Sequence, residues 1–191
     1  MTYDCVIFDM DGTLTEAVLD FPAIRADIGI ADGQPVLETI AAMGAPQRAA
    51  AERILLEHEL RAARTAGLAQ GAAEVLQRIA TAGLATALLT RNTREAMGII
   101  LERFGLRFDL TWSREDGPIK PSPISVLAAC RHLGVQPART LCVGDYLYDL
   151  QAANAAGCQS VLLARQNTRQ FAEHAHHVIE QLGELLPILG L

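Results

Sequence analysis

Past residue 70 the apolar positions alternate between two periods. In "GAAEVLQRIATAG" (71–83), Val75, Leu76, Ile79 and Ala80 recur at helical spacing, whereas "LATALLT" (84–90) is a short continuous run of strand type. "TREAMGIILERFG" then reads as helix, "RFDLTW" (107–112) as a short strand, and "ISVLAACRHLG" as a helix stopped by Gly134. "TLCVGD" (140–145) reads as strand, "LYDLQAANAAG" as helix and "QSVLLA" (159–164) as strand. Helix-like "TRQFAEHA", the short "HVI" and helix-like "EQLGELLPILG" complete the chain. A further strand-type run opens it, in "VIFDMDGTL" (6–14). Strand–helix alternation predicts an α/β fold, a Rossmann-like parallel sheet flanked by helices. Ligands of such sheets bind at the carboxyl ends of the strands, where Asp9, Thr90 and Asp145 fall.

Residues 15–70 break the alternation. They hold helix-like pieces only: "DFPAIRADIG", "QPVLETIAAMG" and "APQRAAAERILLEHELRAARTAG". In the last, Ile54, Leu55 and Leu60 form an apolar face and Glu57 stands four residues before Arg61. The pattern predicts a small all-helical cap domain over 15–70, inserted after the first strand into a core domain made of 1–14 and 71–191. Gly12 and Gly67–Gly71 are the expected hinges.

Composition narrows the function classes. The chain has 191 residues, half of them apolar and a fifth charged, with a net charge of −6 and no Lys/Arg cluster, so binding to a nucleic-acid backbone is not expected. The start "MTYDCVIFD" lacks the basic and apolar regions of a signal peptide, and no apolar stretch reaches membrane-spanning length. Cys5, Cys130, Cys142 and Cys158 lie far apart without a C-x-x-C pair and read as reduced core thiols of a cytoplasmic protein.

The polar residues at strand ends carry the chemistry. Asp9 and Asp11 follow the first strand, Thr90 the second, Lys120 sits in the proline-bracketed "GPIKPSP", and Asp145 and Asp149 follow a later strand. Adjacent carboxylates repel unless a cation or a proton is held between them. Oxygen ligands of this kind suit a hard divalent cation, Mg²⁺ foremost. Each residue also has a plain reading: an Asx turn for Asp9–Asp11, a helix N-cap for Thr90, a surface lysine for Lys120, a helix-dipole partner for Asp149. The five histidines show no metal-ligand spacing.

"DMDGTLT", "LLTRN", "IKPSP" and "VGDYLYD" resemble, in order and spacing, the four motifs of the haloacid dehalogenase superfamily, in its phosphatase branch with a helical cap. The resemblance implies a phosphomonoester hydrolase acting on a small phosphorylated metabolite of the phosphoglycolate or sugar phosphate type. It implies that Asp9 is the nucleophile and forms an aspartyl phosphate, and that Asp11 is the general acid and base. By the same resemblance Thr90 binds a phosphoryl oxygen and Lys120 neutralises charge on nucleophile and phosphate. Mg²⁺ would be held by Asp9, the main-chain carbonyl of Asp11 and Asp145, with Asp149 supporting them. Gly12 lets the backbone approach the phosphate, and Asp11, which must give up a proton, is expected to have a raised pKa.

Two features depart from the pattern. "LTEAVLD" stands where many relatives have Asp-Ser or Asp-Thr, and Arg91 intervenes between Thr90 and Asn92. Arg91 either contacts the substrate or points to solvent. Arg25, Arg48, Arg53 and Arg64 of the insertion are further candidates for an anion contact. A phosphomutase of the same superfamily, similar to β-phosphoglucomutase, is the alternative that uses the same core. A dehalogenase would not need Asp11, and a signalling receiver would lack the helical insertion. Oligomeric state is not legible.

Overall fold

The computed structural model describes residues 3–191, so the first two residues of the 1–14 segment lie outside it. Among the described residues a six-stranded parallel sheet forms, in the order β3-β2-β1-β4-β5-β6. The strands are β1 (Cys5–Phe8), β2 (Ala85–Leu89), β3 (Leu110–Trp112), β4 (Thr140–Gly144), β5 (Gln159–Leu163) and β6 (His177–Ile179). Alternate residues of each strand serve opposite faces, so a sheet covered on both sides is apolar on both. Val6, Phe8, Leu88, Leu141 and Val143 pack on one side, against α4 (Ala72–Thr81), α5 (Arg94–Phe104) and the carboxyl-terminal α8 (Leu185–Leu189). Cys5, Ile7, Ala87, Leu89 and Cys142 face the other side, under α6 (Ile124–Leu133) and α7 (Leu147–Ala156). The four cysteines are buried and unpaired.

Three local expectations change. "TRQFAEHA" winds as a 3₁₀ turn over Arg169–His174, and "EQLGELLPILG" divides into a 3₁₀ turn, Leu182–Glu184, and α8. On α4 the buried residues are Ala72, Val75 and Ile79, one turn apart, and Ala80 is exposed.

Residues 15–70 supply α1 (Phe21–Ile28), α2 (Val36–Ala41) and α3 (Ala45–Thr65). Asp20 caps α1 by accepting from Ala23 N–H at 3.0 Å, and Gly29 ends it in the left-handed conformation. Ile24, Ile30, Val36, Ile40, Ala51 and Leu55 make a small core of their own. Further along α3, Ala63 joins the main core, as does Ala66 just beyond the helix, and Arg103 of α5 donates to the Ala66 carbonyl at 3.0 Å. The buried face of α3 is Ala51, Leu55, Glu59, Ala62 and Ala63; Ile54 and Leu60 are half-buried. The chain enters and leaves this segment through two stretches lying side by side, with Glu16 N–H on the Gly67 carbonyl (3.0 Å) and Ala69 N–H on the Leu14 carbonyl (2.8 Å).

Candidate active site

The sheet order places β1 between β2 and β4, so the chain runs outward from β1 in one direction and then returns to start β4 on its other side. That reversal opens a crevice at the carboxyl ends of β1 and β4. Asp9 leaves β1 there, its N–H bonded to the Val143 carbonyl at 2.9 Å. Lys120, 5% exposed, reaches in from the loop after β3. Its ammonium donates to Asp9 Oδ1 at 2.6 Å and to the Leu89 carbonyl at 2.8 Å, and pairs with Asp149 Oδ1 at 2.6 Å. Burial alone would pull a lysine down, but Asp149 and Asp9 outweigh it, and Lys120 is held above its ordinary value. The second oxygen of Asp149 accepts the Tyr146 N–H at 3.1 Å. A Cβ on Gly144 would fall on the Asp149 side chain, so this tuck under the β4 end requires glycine.

Asp145 completes a cluster in which carboxylate oxygens of Asp9, Asp145 and Asp149 all lie within 4.8 Å of one another. Asp145 takes part in no ion pair among the described residues, whereas Asp9 and Asp149 share Lys120. Its carboxylate lies over Gly12, whose φ is +79°; a Cβ there would stand 2.7 Å from Asp145 Cγ and nearer still to Oδ2. Burial first, then Asp9 and Asp149, push Asp145 up to about 8. Burial raises Asp9 to about 6, with Lys120 pulling the other way. Three crowded carboxylates facing one ammonium leave excess negative charge, and their oxygens fit a hard divalent cation. Both oxygens of Asp149 already have partners, whereas no hydrogen bond or ion pair engages the Asp145 carboxylate among the described residues.

Asp11 faces the same crevice. Its pKa is pushed up to about 8, by burial first and then by Asp9 and Glu59. Asn92 donates to Asp11 Oδ2 at 2.8 Å, and the Asn92 N–H donates to Thr90 Oγ1 at 3.1 Å. Thr90 is 2% exposed and does not cap α5; Thr93 does, accepting from Ala96 N–H at 3.2 Å. Glu59 sits beside this group from α3, 3% exposed. It is paired with Arg114 and accepts from Thr93 N–H at 3.4 Å. Burial raises its pKa and Arg114 opposes the rise.

Arg91 does not extend into solvent: its side chain is 20% exposed. Its guanidinium is turned sideways across the rim, donating to the Lys120 carbonyl at 2.9 Å and to Glu38 of α2 at 2.7 Å, with its carbon 4.4 Å above the Tyr148 ring. Arg25 donates to the Gln34 carbonyl at 2.9 Å and Arg48 to the Met43 carbonyl at 3.2 Å, so both are spent on their own segment. Arg53 and Arg64 are exposed and form no ion pair with the site carboxylates. Sequence reading missed Asn92 as a partner of Asp11, Glu59 with Arg114, and Arg165, which donates to the Gly12 carbonyl at 3.3 Å. Only Asn92 left a signal, as the asparagine displaced by one from its usual place.

A family model described as haloacid dehalogenase-like hydrolase matches residues 3–157. A haloacid dehalogenase-like hydrolase domain-containing protein of Arabidopsis thaliana is 31% identical over 170 residues, 83% of this chain and 69% of that protein. A phosphoglycolate phosphatase of Pseudomonas putida is 28% identical over 212 residues, covering 95% of this chain and 78% of the relative. Among solved structures, CbbY from Rhodobacter sphaeroides in complex with phosphate superposes with a TM-score of 0.77 at 24% identity, over 100% of both chains. That last likeness is one of fold.

Proposed function

The chain belongs to the haloacid dehalogenase-like hydrolases, and from that premise we propose that it is a Mg²⁺-dependent phosphomonoester hydrolase working through an aspartyl phosphate. The observation that carries this reading is the Lys120 ammonium wedged between Asp9 and Asp149, with Asp145 and Asp11 on the same crevice. A carboxylate can approach a phosphate dianion only where fixed cations remove the repulsion. Lys120 supplies one such cation, and its contact with Oδ1 holds the Asp9 carboxylate in one orientation. Asp9, Asp145 and the Asp11 main-chain carbonyl would hold Mg²⁺, which when bound supplies the remaining charge neutralisation.

Asp9 attacks phosphorus and the ester oxygen departs with the proton that Asp11 carries. Asp11, now a carboxylate, takes a proton from the water that cleaves the aspartyl phosphate and frees phosphate. Thr90 donates its hydroxyl hydrogen to a phosphoryl oxygen, and Gly12 keeps the loop close to the phosphate. Residues 15–70 act as a cap over the crevice, with the paired stretches at Glu16–Gly67 and Leu14–Ala69 as the hinge. The similarity to a phosphoglycolate phosphatase supports a small phosphorylated metabolite as substrate. No helix among the described residues is long and apolar enough to cross a membrane, and four buried unpaired thiols support a reducing compartment such as the cytoplasm.

The test is phosphate release from a panel of small phosphomonoesters, with and without Mg²⁺, by the wild type and Asp9→Asn. Mg²⁺-dependent release abolished in Asp9→Asn is the expected result. Interconversion of sugar phosphates without release would identify a phosphomutase instead, and release that survives in Asp9→Asn would show that Asp9 is not the nucleophile.

A further inference from the structure

We propose that Asn92 is a positioning residue whose side-chain amide sets the orientation of the general acid, Asp11. The inference rests on the hydrolase reading above. Asn92 is 6% exposed and anchored at three points. Its N–H donates to Thr90 Oγ1 (3.1 Å), its carbonyl accepts the Arg114 N–H (3.1 Å), and its side-chain amide donates to Asp11 Oδ2 (2.8 Å). Asn92 stands one residue before the N-cap position of α5, where a side chain commonly serves as helix cap. That duty is already met by Thr93, whose hydroxyl accepts the Ala96 N–H at 3.2 Å. The Asn92 amide is thus free for Asp11, 81 residues away in the chain.

Hydrogen-bond inventory gives the two contacts a direction. A threonine hydroxyl has one hydrogen and two lone pairs. By accepting from Asn92, Thr90 Oγ1 has one lone pair occupied from behind, and its own hydrogen is left for a partner in the crevice. Asp11 has two oxygens, and the amide holds Oδ2, so Oδ1 is the oxygen presented to the ester. When the phosphorus–oxygen bond breaks, the leaving oxygen keeps the electron pair and needs a proton at that moment. A carboxyl rotated away from it cannot deliver one, and misplacement by an ångström commonly costs about a hundredfold.

A role of this kind has a signature that packing alone would not produce. Loss of the amide should matter in proportion to how much the leaving group needs a proton. The experiment compares kcat/KM, which reads the steps through leaving-group departure, for two small substrates. One is an alkyl monoester, glycerol 1-phosphate, whose alkoxide requires protonation; the other is acetyl phosphate, whose carboxylate does not. Wild type, Asn92→Ala and the near-isosteric, uncharged Asn92→Leu are assayed, with thermal melting to confirm folding. The expected result is a loss of roughly 30- to 100-fold for the alkyl ester in both variants and of less than about threefold for acetyl phosphate. Equal losses on the two substrates, or no loss, would overturn the inference and leave the hydrolase intact. Phosphate release from neither substrate by the wild type would overturn the hydrolase reading itself, and this inference with it. Should Asn92→Ala fail to fold, Asn92→Leu carries the same comparison.

Discussion

Gly12→Ala separates two effects that one methyl group brings about at once. The first is backbone strain. Gly12 has φ of +79°, and an L-residue in the left-handed region costs roughly 1–2 kcal/mol. Alanine also restricts the unfolded chain, which returns about 0.4–1 kcal/mol. The net loss of stability from this source is about 1 kcal/mol. The second effect is steric. The new Cβ would stand 2.7 Å from Asp145 Cγ, and closer to Oδ2, so the carboxylate must move. Movement is cheap for folding, because the obstacle is the free end of a side chain with no ion pair, already repelled by Asp9 and Asp149. For a bound cation it is expensive, since one of two carboxylate ligands is lost, and even disturbing the residues behind a metal ligand lowers affinity about 10- to 100-fold. The expected outcome is a variant about 1 kcal/mol less stable by urea denaturation in chelator, with Mg²⁺ affinity by calorimetry at least tenfold weaker. In a double-mutant cycle Gly12→Ala should add little to the Mg²⁺ defect of Asp145→Asn, as expected for residues acting through one contact. Mg²⁺ affinity within twofold of wild type, in a folded variant, would refute the reasoning. So would a stability loss above about 3 kcal/mol, which would place the damage in the loop backbone.

Three more expectations follow from the same geometry. In the metal-free protein Asp11 and Asp145 sit near 8, against about 3.9 for an unfolded aspartate, so the folded chain holds protons the unfolded chain has lost. Their contribution to stability therefore falls as pH rises between about 4 and 8, by up to about 1.4 kcal/mol per pH unit for each proton. Denaturation in chelator at several pH values should show a slope that Asp11→Asn makes shallower, and an unchanged slope would contradict it. Arg114→Met strands Glu59, 3% exposed, without its counter-ion, and should cost about 3–5 kcal/mol. Adding Glu59→Gln should recover most of that, and denaturation midpoints that stay low in the double variant would show that the pair is not what matters. Asp149→Ala removes one of the two carboxylates on Lys120 and should lower kcat about 10- to 100-fold with KM little changed. A change in KM alone would place Asp149 in substrate binding.

Strand-end chemistry was legible in the chain because a parallel sheet makes it so. Once "VIFDMDG" and "TLCVGD" are read as strands, Asp9 and Asp145 must come out at the same edge, whatever the loops do. The alternating faces of β1, with Val6 and Phe8 on one side and Cys5 and Ile7 on the other, follow from the period of two. Helical pieces between Leu14 and Gly71 were legible from spacing. The short last helices were less so, because Gly183 and Pro187 break the continuity on which periodicity depends.

What tertiary structure decided is which charges meet. Glu59 is one of three acids on α3, and it alone is buried, because Arg114, 55 residues further on, lies across it. Arg91 has three partners, Glu38, Lys120 and Tyr148, drawn from three distant stretches. Asn92 reaches Asp11 across 81 residues. Local pattern records what each residue does to its own helix or strand, through backbone geometry and burial of one face. Electrostatic partners at a crevice are chosen by how the elements are placed in space, and a charge pairs at a few ångströms with whatever the fold has brought there. The sequence therefore determined the sheet, its acidic rim and the family, and only the assembled core determined which side chains hold that rim in working order.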